Sequence, residues 1–389
     1  MSIAEIFLPL GFVSFGGPTT NVGLFERVFV EKFRSVSAER FAELLAVTSS
    51  LPGSTASEMA LAIGCQLGGP TGALIALLLF TLPGLVAMLL VGKYSGLAET
   101  LIGKIAPQWI YVAAVSVILV ASLTLFQKIC KSTLAVSISV IAAAAALAVP
   151  AGYLPLIALG GGSIAVMLTP ASAVGALGVA LLGHPSSAEV THFNMFQAQV
   201  ALTLLVVSAV GFYYFLPHSP LVDFFTAGAS VVGGGTAMLP FLQKFLDPET
   251  FLLLFSVSMC MPGPLSNLAA AVGVVVGGSL WYGLAAWAAL SLPGVLLTFL
   301  ALPVWQGLKG RYEVMLRALL GLNAAAVGLL AAGTIQLYAS TIGTHWLRLF
   351  AVICGVALQG IWEVEPVFIV LAGLAGGVIQ GVFSEPSFM

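Results

Sequence analysis

Two proline-glycine motifs each occur twice in this chain, at one constant spacing. Leu51-Pro52-Gly53-Ser54 and Leu82-Pro83-Gly84 stand in the first half, and Met261-Pro262-Gly263-Pro264 and Leu292-Pro293-Gly294 follow 210 positions later. Matching motifs at one offset, inside otherwise apolar sequence, indicate an internal duplication. Helix breakers at corresponding positions of two membrane halves are typical of the binding site of a transporter.

The composition is that of an integral, multi-pass membrane protein. Of the 389 residues, 60% are hydrophobic and 7% are charged, whereas soluble domains carry about 25% charged residues. Several apolar runs reach the length of roughly 20 residues that spans a bilayer. The net charge of −2 gives no reason to expect a nucleic-acid partner, and the N-terminus lacks the basic region of a cleaved signal peptide.

The sequence lacks the motifs of an enzyme or a metal protein. Its four cysteines form no CxxC pair, and no histidine has a second ligand at helical spacing. There is no phosphate-binding loop of an ATPase, no HExxH, no GxSxG and no pair of intramembrane aspartates. We therefore expect no enzyme activity, no cofactor and no metal site.

The apolar segments predict an all-α polytopic protein of two inverted six-span repeats joined by one linker helix. The repeats are residues 1–183 and 218–389, and the linker is 184–217, with an unpaired apolar helix at 196–216. That extra crossing would turn the second repeat upside down, as in many carriers. The predicted spans are 3–18, 41–67, 70–92, 105–126, 131–150, 154–182, 219–243, 249–277, 279–307, 314–336, 342–361 and 364–384. The short first segments are also compatible with a re-entrant structure.

Pro52 and Pro262 are predicted to interrupt their helices near the membrane midplane, because proline lacks an N–H group and clashes with the preceding turn. A helix that restarts at depth presents free N–H groups and the positive end of its dipole, and these can hold an anion. The alternative is a packing kink whose backbone groups are satisfied by neighbouring helices. The residues predicted to bind substrate at the breaks are Pro52, Gly53, Ser54, Thr55, Ser57, Pro262, Gly263, Pro264, Ser266 and Asn267.

Two glycine clusters are the second predicted part of the site. Gly16 and Gly17 lie in one cluster, and Gly233, Gly234 and Gly235, followed by Thr236, form the other. Glycine lets a backbone approach another backbone or a ligand closely, so these residues are also predicted to contact substrate. The alternative is the packing of helices through small residues, which is frequent in bilayers.

Glu58 is a carboxylate in an apolar stretch of the first repeat. An ionisable residue inside a membrane segment is a functional candidate by default, and Glu58 is the predicted coupling group, for a proton or a sodium ion. The alternative is structural, because Thr55-x-x-Glu58 matches a capping box for the helix that follows Pro52.

The motifs together resemble the chromate transporter family. The resemblance rests on Gly11-Phe12-Val13-Ser14-Phe15-Gly16-Gly17-Pro18 and on the Pro-Gly motifs of both halves, and it covers nearly the whole chain. It also includes Gly321-Leu322-Asn323-Ala324-Ala325-Ala326 in the second half. The family implies a two-domain carrier of chromate, usually an exporter, with sulfate as an isostere and with about thirteen spans in inverted halves.

The chain departs from the family pattern at several positions. Ser49 and Met259 replace a glutamine common before each Pro-Gly pair, Asn21 replaces a common histidine, and Glu58 stands where glutamine is frequent. The segment 64–69 lacks the family's arginine. These changes are compatible with a different substrate, or with anion binding through helix dipoles alone.

The leading hypothesis is therefore a secondary active transporter of a small inorganic oxyanion, in the plasma membrane and surrounded by lipid. It works by alternating access, with a homodimer as a possible assembly. An anion channel lined by the same broken helices, and a carrier of a different ion, remain as alternatives.

Overall fold

The computed structural model describes residues 2–15, 18–96, 108–149, 157, 160–161, 163–165, 195–216, 218–230, 235–307, 313–343 and 345–384. Within these ranges the regular structure is helical and contains no β-strand. The expectation of an all-α protein is thereby confirmed.

The first half of the described chain contains six α-helices. They are α1 (Ile3–Val13), α2 (Pro18–Phe25, continued by a π-helix over Glu26–Lys32), α3 (Ala38–Ser50), α4 (Thr55–Lys93), α5 (Gln108–Ile129) and α6 (Thr133–Ala148). The predicted span at 154–182 lies almost entirely outside the described residues.

The remaining helices begin with α7 (Met195–Phe215), which coincides with the predicted linker helix at 196–216. It is followed by α8 (Pro220–Ser230), a 3-10 turn (Gly235–Met238), α9 (Leu239–Gln243), α10 (Pro248–Met259), a 3-10 turn (Leu265–Asn267), α11 (Leu268–Gly277), α12 (Leu280–Gly307), α13 (Glu313–Leu337, continued by a π-helix over Tyr338–Ile342), α14 (Trp346–Gly360) and α15 (Pro366–Ser384).

Five of the described helices are long and apolar enough to cross a membrane. These are Thr55–Lys93, Gln108–Ile129, Gln197–Phe215, Leu280–Pro303 and Leu320–Ile342. Shorter apolar helices accompany them, among them α1, α6, α10, α14 and most of α15. Helices of this length and composition make the chain an integral membrane protein.

Each half contains a helical hairpin directly after its first Pro-Gly motif. In α4 the helix is interrupted at Gly68 and Gly69, where φ is −153° and 62°. The two arms then pack so closely that a Cβ on Gly64 would lie 3.2 Å from the Cα of Ala73. In the second half the chain reverses at Gly278, with φ 70°, between α11 and α12. The hairpins turn at the positions that the 210-residue spacing matches.

Pro52 and Pro262 interrupt their helices as predicted, because α3 ends at Ser50 and α10 ends at Met259. Pro83 and Pro293 do not interrupt their helices, in agreement with the predicted spans 70–92 and 279–307. Both prolines lie inside continuous helices, α4 and α12. A proline inside a membrane helix is tolerated where neighbouring helices satisfy the freed carbonyl group, and these two helices are closely packed on several others.

Candidate functional site

The two helix breaks have the same backbone design. In the first, Gly53 has φ 134° and the helix restarts at Thr55; in the second, Gly263 has φ 99° and the chain turns helical again at Leu265. Only glycine adopts such φ values readily. Both glycines are buried, so each break is an irregular stretch of backbone enclosed by protein, as a membrane interior requires.

Each break is covered by the second Pro-Gly motif of the other half. A Cβ added to Gly294, on α12, would lie 2.9 Å from the carbonyl oxygen of Pro52 and 3.2 Å from the Cα of Gly53. A Cβ added to Gly84, on α4, would collide with the carbonyl oxygen of Pro262. The contacts are reciprocal, and they explain why glycine follows Pro83 and Pro293: it permits this close approach.

The two helix starts meet at a pair of serines. The hydroxyl oxygens of Ser57 and Ser266 are 3.3 Å apart and buried. Other predicted site residues next to them are also buried: Ser54, Thr55, Pro264 and Asn267. The predicted residues of the two breaks are therefore brought together, although they are about 210 positions apart in the sequence.

The second break is held in place by side chains and backbone of the first half. The N–H group of Gly263 donates to the carbonyl oxygen of Ser14 (2.8 Å) and to its hydroxyl oxygen (2.9 Å). Asn21 Nδ2 donates to the carbonyl oxygen of Gly263 (3.3 Å), and Asn267 Nδ2 donates to that of Thr81 (3.2 Å). Ser14 and Asn21 flank the first glycine cluster, so residues beside this cluster contact the second break.

The glycine clusters themselves are only partly described. Gly16, Gly17, Gly233 and Gly234 lie outside the described residues. Gly235 is buried and Thr236 is half-buried, in the 3-10 turn Gly235–Met238. That turn contacts the turn Leu265–Asn267 at the second break.

The capping box expected for Thr55 and Glu58 is not formed. Ser54, not Thr55, is the N-cap residue of α4, and no side chain caps this helix start. The Glu58 side chain instead lies against Gly53 and Gly294. It is 2% exposed, and neither carboxylate oxygen has a hydrogen-bond partner among the described residues.

Glu58 and Asn267 occupy equivalent places at the two breaks. Glu58 follows Gly53 by five residues and Asn267 follows Gly263 by four, so the two side chains are 209 positions apart, not 210. Each side chain lies against its own break glycine and against the Pro-Gly glycine of the opposite half, Gly294 for Glu58 and Gly84 for Asn267. A strict 210-residue spacing pairs Glu58 with Leu268 and hides this match.

The site is rich in oxygen acceptors that have no partner. Ten buried side-chain polar atoms in the described part of the chain lack a hydrogen bond. Half of them are here: Asn21 Oδ1, Ser54 Oγ, Glu58 Oε1, Glu58 Oε2 and Asn267 Oδ1. Such groups are rare in proteins and call for a specific explanation, such as an ion or a proton.

A buried arginine beside the segment 64–69 was not among the predicted site residues. Arg40, at the start of α3, is 6% exposed. Its guanidinium donates to Glu43 (2.6 Å) and to Gln66 (3.4 Å). Gln66 belongs to the segment 64–69 that carries no arginine of its own, so α3 supplies a guanidinium to this segment. No motif marked Arg40, because the contact joins residues 26 positions apart.

Comparisons with known proteins agree with the resemblance seen in the motifs. The family model described as "Chromate transporter" matches residues 1–167 and 218–378. A probable chromate transport protein of Synechococcus elongatus is 28% identical over 396 residues, covering 96% of this chain and 94% of the relative. A chromate transport protein of Pseudomonas aeruginosa is 28% identical over 403 residues, covering 96% and 91%.

A third relative is a chromate transport protein of Cupriavidus metallidurans, which is 26% identical over 397 residues, covering 95% of this chain and 90% of the relative. No solved structure matches this chain.

Proposed function

This chain belongs to the chromate transporter family, and from that premise we propose that it is a secondary active transporter of a small inorganic oxyanion. The proposed substrate is chromate, with sulfate as an isosteric competitor. The proposed direction is export across the plasma membrane, by alternating access. The names of its relatives, which are chromate transport proteins, support the choice of chromate.

The observation that carries this proposal is the meeting of two buried helix starts at Ser57 and Ser266. The first turn of a helix has N–H groups without helical partners, and its dipole favours a negative charge. Two such starts, with serine hydroxyls between them, form a suitable cradle for a tetrahedral oxyanion. The predicted site residues of both breaks would supply this cradle.

The proposed architecture has two inverted repeats, residues 1–183 and 218–389, joined by the linker 184–217. Two observations support it. The breaks, hairpins and Pro-Gly contacts of the two halves correspond one to one, and the contacts between the halves are reciprocal, as a two-fold relation requires. The apolar helix α7 lies between the halves, where a single crossing would invert the second repeat.

Glu58 is the proposed coupling group. It is the buried carboxylate of the site, and it lies at the interface between the first break and α12. A group that gains or loses a cation at this contact would link the energy of an ion gradient to the movement of the two halves.

The proposal is tested by flux in proteoliposomes. Purified protein is reconstituted, and uptake of chromate and of labelled sulfate is followed with and without an imposed pH gradient. We expect saturable chromate flux that sulfate inhibits. Pro52→Ala and Gly263→Leu should abolish this flux while the protein still inserts, whereas Gly211→Ala, on α7 with no atom near its Cβ position, should not. Full activity of both site variants would refute the assignment of the breaks.

A second candidate is a carrier of a monovalent cation, and one observation favours it. The partnerless atoms at the breaks are mainly acceptors, on Asn21, Glu58 and Asn267, and oxygen acceptors suit a hard cation. Uptake of labelled sodium in the same proteoliposomes, without chromate or sulfate flux, would select this candidate over the first.

A further inference from the structure

We propose that Glu58 is a proton-operated latch between the two halves of the protein, a role that rests on the transport function proposed above. As the neutral carboxylic acid, Glu58 holds the first break against Gly294 of α12. When the proton leaves, the contact opens. The equivalent contact at the second break is held by Asn267 and does not depend on a proton.

The geometry at Asn267 shows what the contact requires. Asn267 Nδ2 donates a hydrogen bond to the carbonyl oxygen of Thr81, two residues before Pro83, and it lies beside Gly84 and Gly263. Asn267 thus donates a hydrogen bond across the contact, to a carbonyl oxygen in the turn of α4 that contains Pro83. An amide is always able to donate, so this latch is permanent.

Glu58 faces the same kind of surroundings without a permanent donor. A Cβ on Gly294 would lie 2.5 Å from Glu58 Oε1 and 2.9 Å from the carbonyl oxygen of Pro52, so two acceptors converge on this one point. An ionised carboxylate can only accept hydrogen bonds, whereas the acid also donates one. The proton therefore makes the Glu58 carboxyl group a hydrogen-bond donor, as the Asn267 amide is at every pH.

Burial also favours the neutral carboxylic acid form of Glu58. A carboxylate charge that is buried without a partner is strongly unfavourable, and Glu58 is 2% exposed with both oxygens unpaired among the described residues. Neither described ion pair includes it, since these join Arg40 to Glu43 and Lys244 to Asp223. The charged form requires the break to open and water to reach the carboxylate.

The helices packed against Glu58 offer it no counter-charge. The break itself and α11 carry no ionisable side chain, and the one phenol of α12 is at its start. The remaining titratable groups lie on α1, on the π-helical continuation of α2, on α3 and on α10, and α4 itself carries Cys65 and Lys93. None of them is a hydrogen-bond partner of Glu58, and Arg40 pairs with Glu43. On the packed helices these groups are Glu5, Glu26, Arg27, Glu31, Lys32, Glu39, Arg40, Glu43 and Glu249.

The latch makes the two breaks unequal and gives the cycle a proton balance. One proton binds to a carboxylate oxygen of Glu58 when the first contact closes, and the same proton leaves when it opens. No other bond changes. If the proton enters from one side of the membrane and leaves to the other, each opening and closing carries one proton.

The latch is tested by amide hydrogen exchange, which does not depend on transport. Purified protein in lipid nanodiscs is labelled at a series of pH values, and exchange is corrected for its intrinsic pH dependence. We expect the segment 51–58 to be protected at low pH. Above the titration of Glu58, the protection factor should fall by about tenfold per pH unit, as expected for the release of one proton.

Two variants serve as matched tests. Glu58→Gln supplies a permanent donor, so the segment 51–58 should stay protected at every pH. Asn267→Asp makes the second contact titratable, so the segment 261–267 should acquire a pH dependence that the wild type lacks there. Should Glu58→Gln not fold, the Asn267→Asp result decides.

The latch is overturned if wild-type protection at 51–58 does not change with pH, if Glu58→Gln retains the wild-type pH dependence, or if Asn267→Asp adds none. The function and the latch can fail separately. If the wild type transports chromate but its exchange at 51–58 does not depend on pH, the transport function is supported and the latch is refuted. If exchange at 51–58 depends on pH as expected but neither chromate nor sulfate is transported, the latch is supported and the proposed substrate is refuted.

Discussion

Ser57 and Ser266 place their hydroxyl oxygens 3.3 Å apart at the point where the two halves of the chain meet. Neither serine belongs to a Pro-Gly motif, yet each lies in the first turn after one. The pair therefore reports directly on the distance between the two helix starts, and it can be used to trap this arrangement.

We expect Ser57→Cys combined with Ser266→Cys to form a disulfide on oxidation, in a chain whose four native cysteines, all free, are replaced by alanine. The sulfur atoms would start close to the geometry that a disulfide needs. Mass spectrometry of proteolytic fragments should find the linked peptides, and flux should stop until a reductant is added.

The two single-cysteine variants are the controls for this cross-link, and both should keep their flux under oxidant. Separate peptides after complete oxidation of the double variant would show that the helix starts are not adjacent in the membrane.

Gly84→Ala and Gly294→Ala should each destabilise the protein by about 1–3 kcal/mol, the range for overpacking a tight contact. The added methyl groups would meet the backbone of Pro262 and of Pro52, which cannot rotate away. Thermal unfolding in detergent measures the effect. Gly211→Ala, where no atom lies within 4 Å, should leave stability unchanged or raise it slightly; equal losses in all three would argue against the reciprocal contacts.

The buried ion pair should contribute more to the free energy of unfolding than the exposed one. The side chains of Arg40 and Glu43 are 7% and 13% exposed, whereas those of Lys244 and Asp223 are 19% and 49% exposed. Glu43→Gln should lower the free energy of unfolding by about 1–3 kcal/mol, because it leaves a buried guanidinium short of its charged partner. Asp223→Asn should lower it by less than about 1 kcal/mol. Unfolding by denaturant compares the two, and a larger loss for Asp223→Asn would contradict the burial order.

Asp247 should contribute to stability in a pH-dependent way. It is the N-cap residue of α10 and accepts hydrogen bonds from the N–H groups of Glu249 and Thr250. Burial alone would raise the pKa of Asp247, but these hydrogen bonds outweigh it, and the pKa is lowered. A lowered pKa means that the carboxylate stabilises the folded state above the unfolded pKa of about 3.9, and that this stability is lost as the pH falls through the folded value.

Asp247→Ala should therefore cost about 1 kcal/mol at pH 7, with the difference from the wild type shrinking towards pH 3. Thermal unfolding at several pH values checks this. A difference that grows on acidification would mean that the carboxylate does not cap α10.

The helix breaks could be predicted from the sequence because they depend on local chemistry. Proline removes one donor and glycine allows a positive φ, and Pro52-Gly53 and Pro262-Gly263 use both properties to interrupt their helices. The positions of most apolar helices follow from composition for a similar reason. The linker helix at 196–216 is observed as α7, from Met195 to Phe215.

What the sequence could not predict depends on contacts between distant segments. The two Pro-Gly pairs at Pro83 and Pro293 lie inside continuous helices, as the spans 70–92 and 279–307 predicted, but their packing against the breaks of the opposite half was not predicted. The Thr55-x-x-Glu58 pattern favoured a capping box, yet the packing of Gly294 against the break places the carboxyl group elsewhere. Arg40 and Gln66, on different helices, meet for the same reason.

The reciprocal packing of the Pro-Gly motifs also has a consequence for how the protein is assembled. Each break is covered in part by a Pro-Gly glycine of the opposite half, so neither half alone completes the burial of its own irregular backbone. Expressed as two separate polypeptides, the halves would be mutual chaperones: each would be a substrate for membrane quality control until its counterpart arrived. Synthesis of both halves on one chain fixes their stoichiometry at one to one. The first half then lacks its partner only until the ribosome has completed the second half.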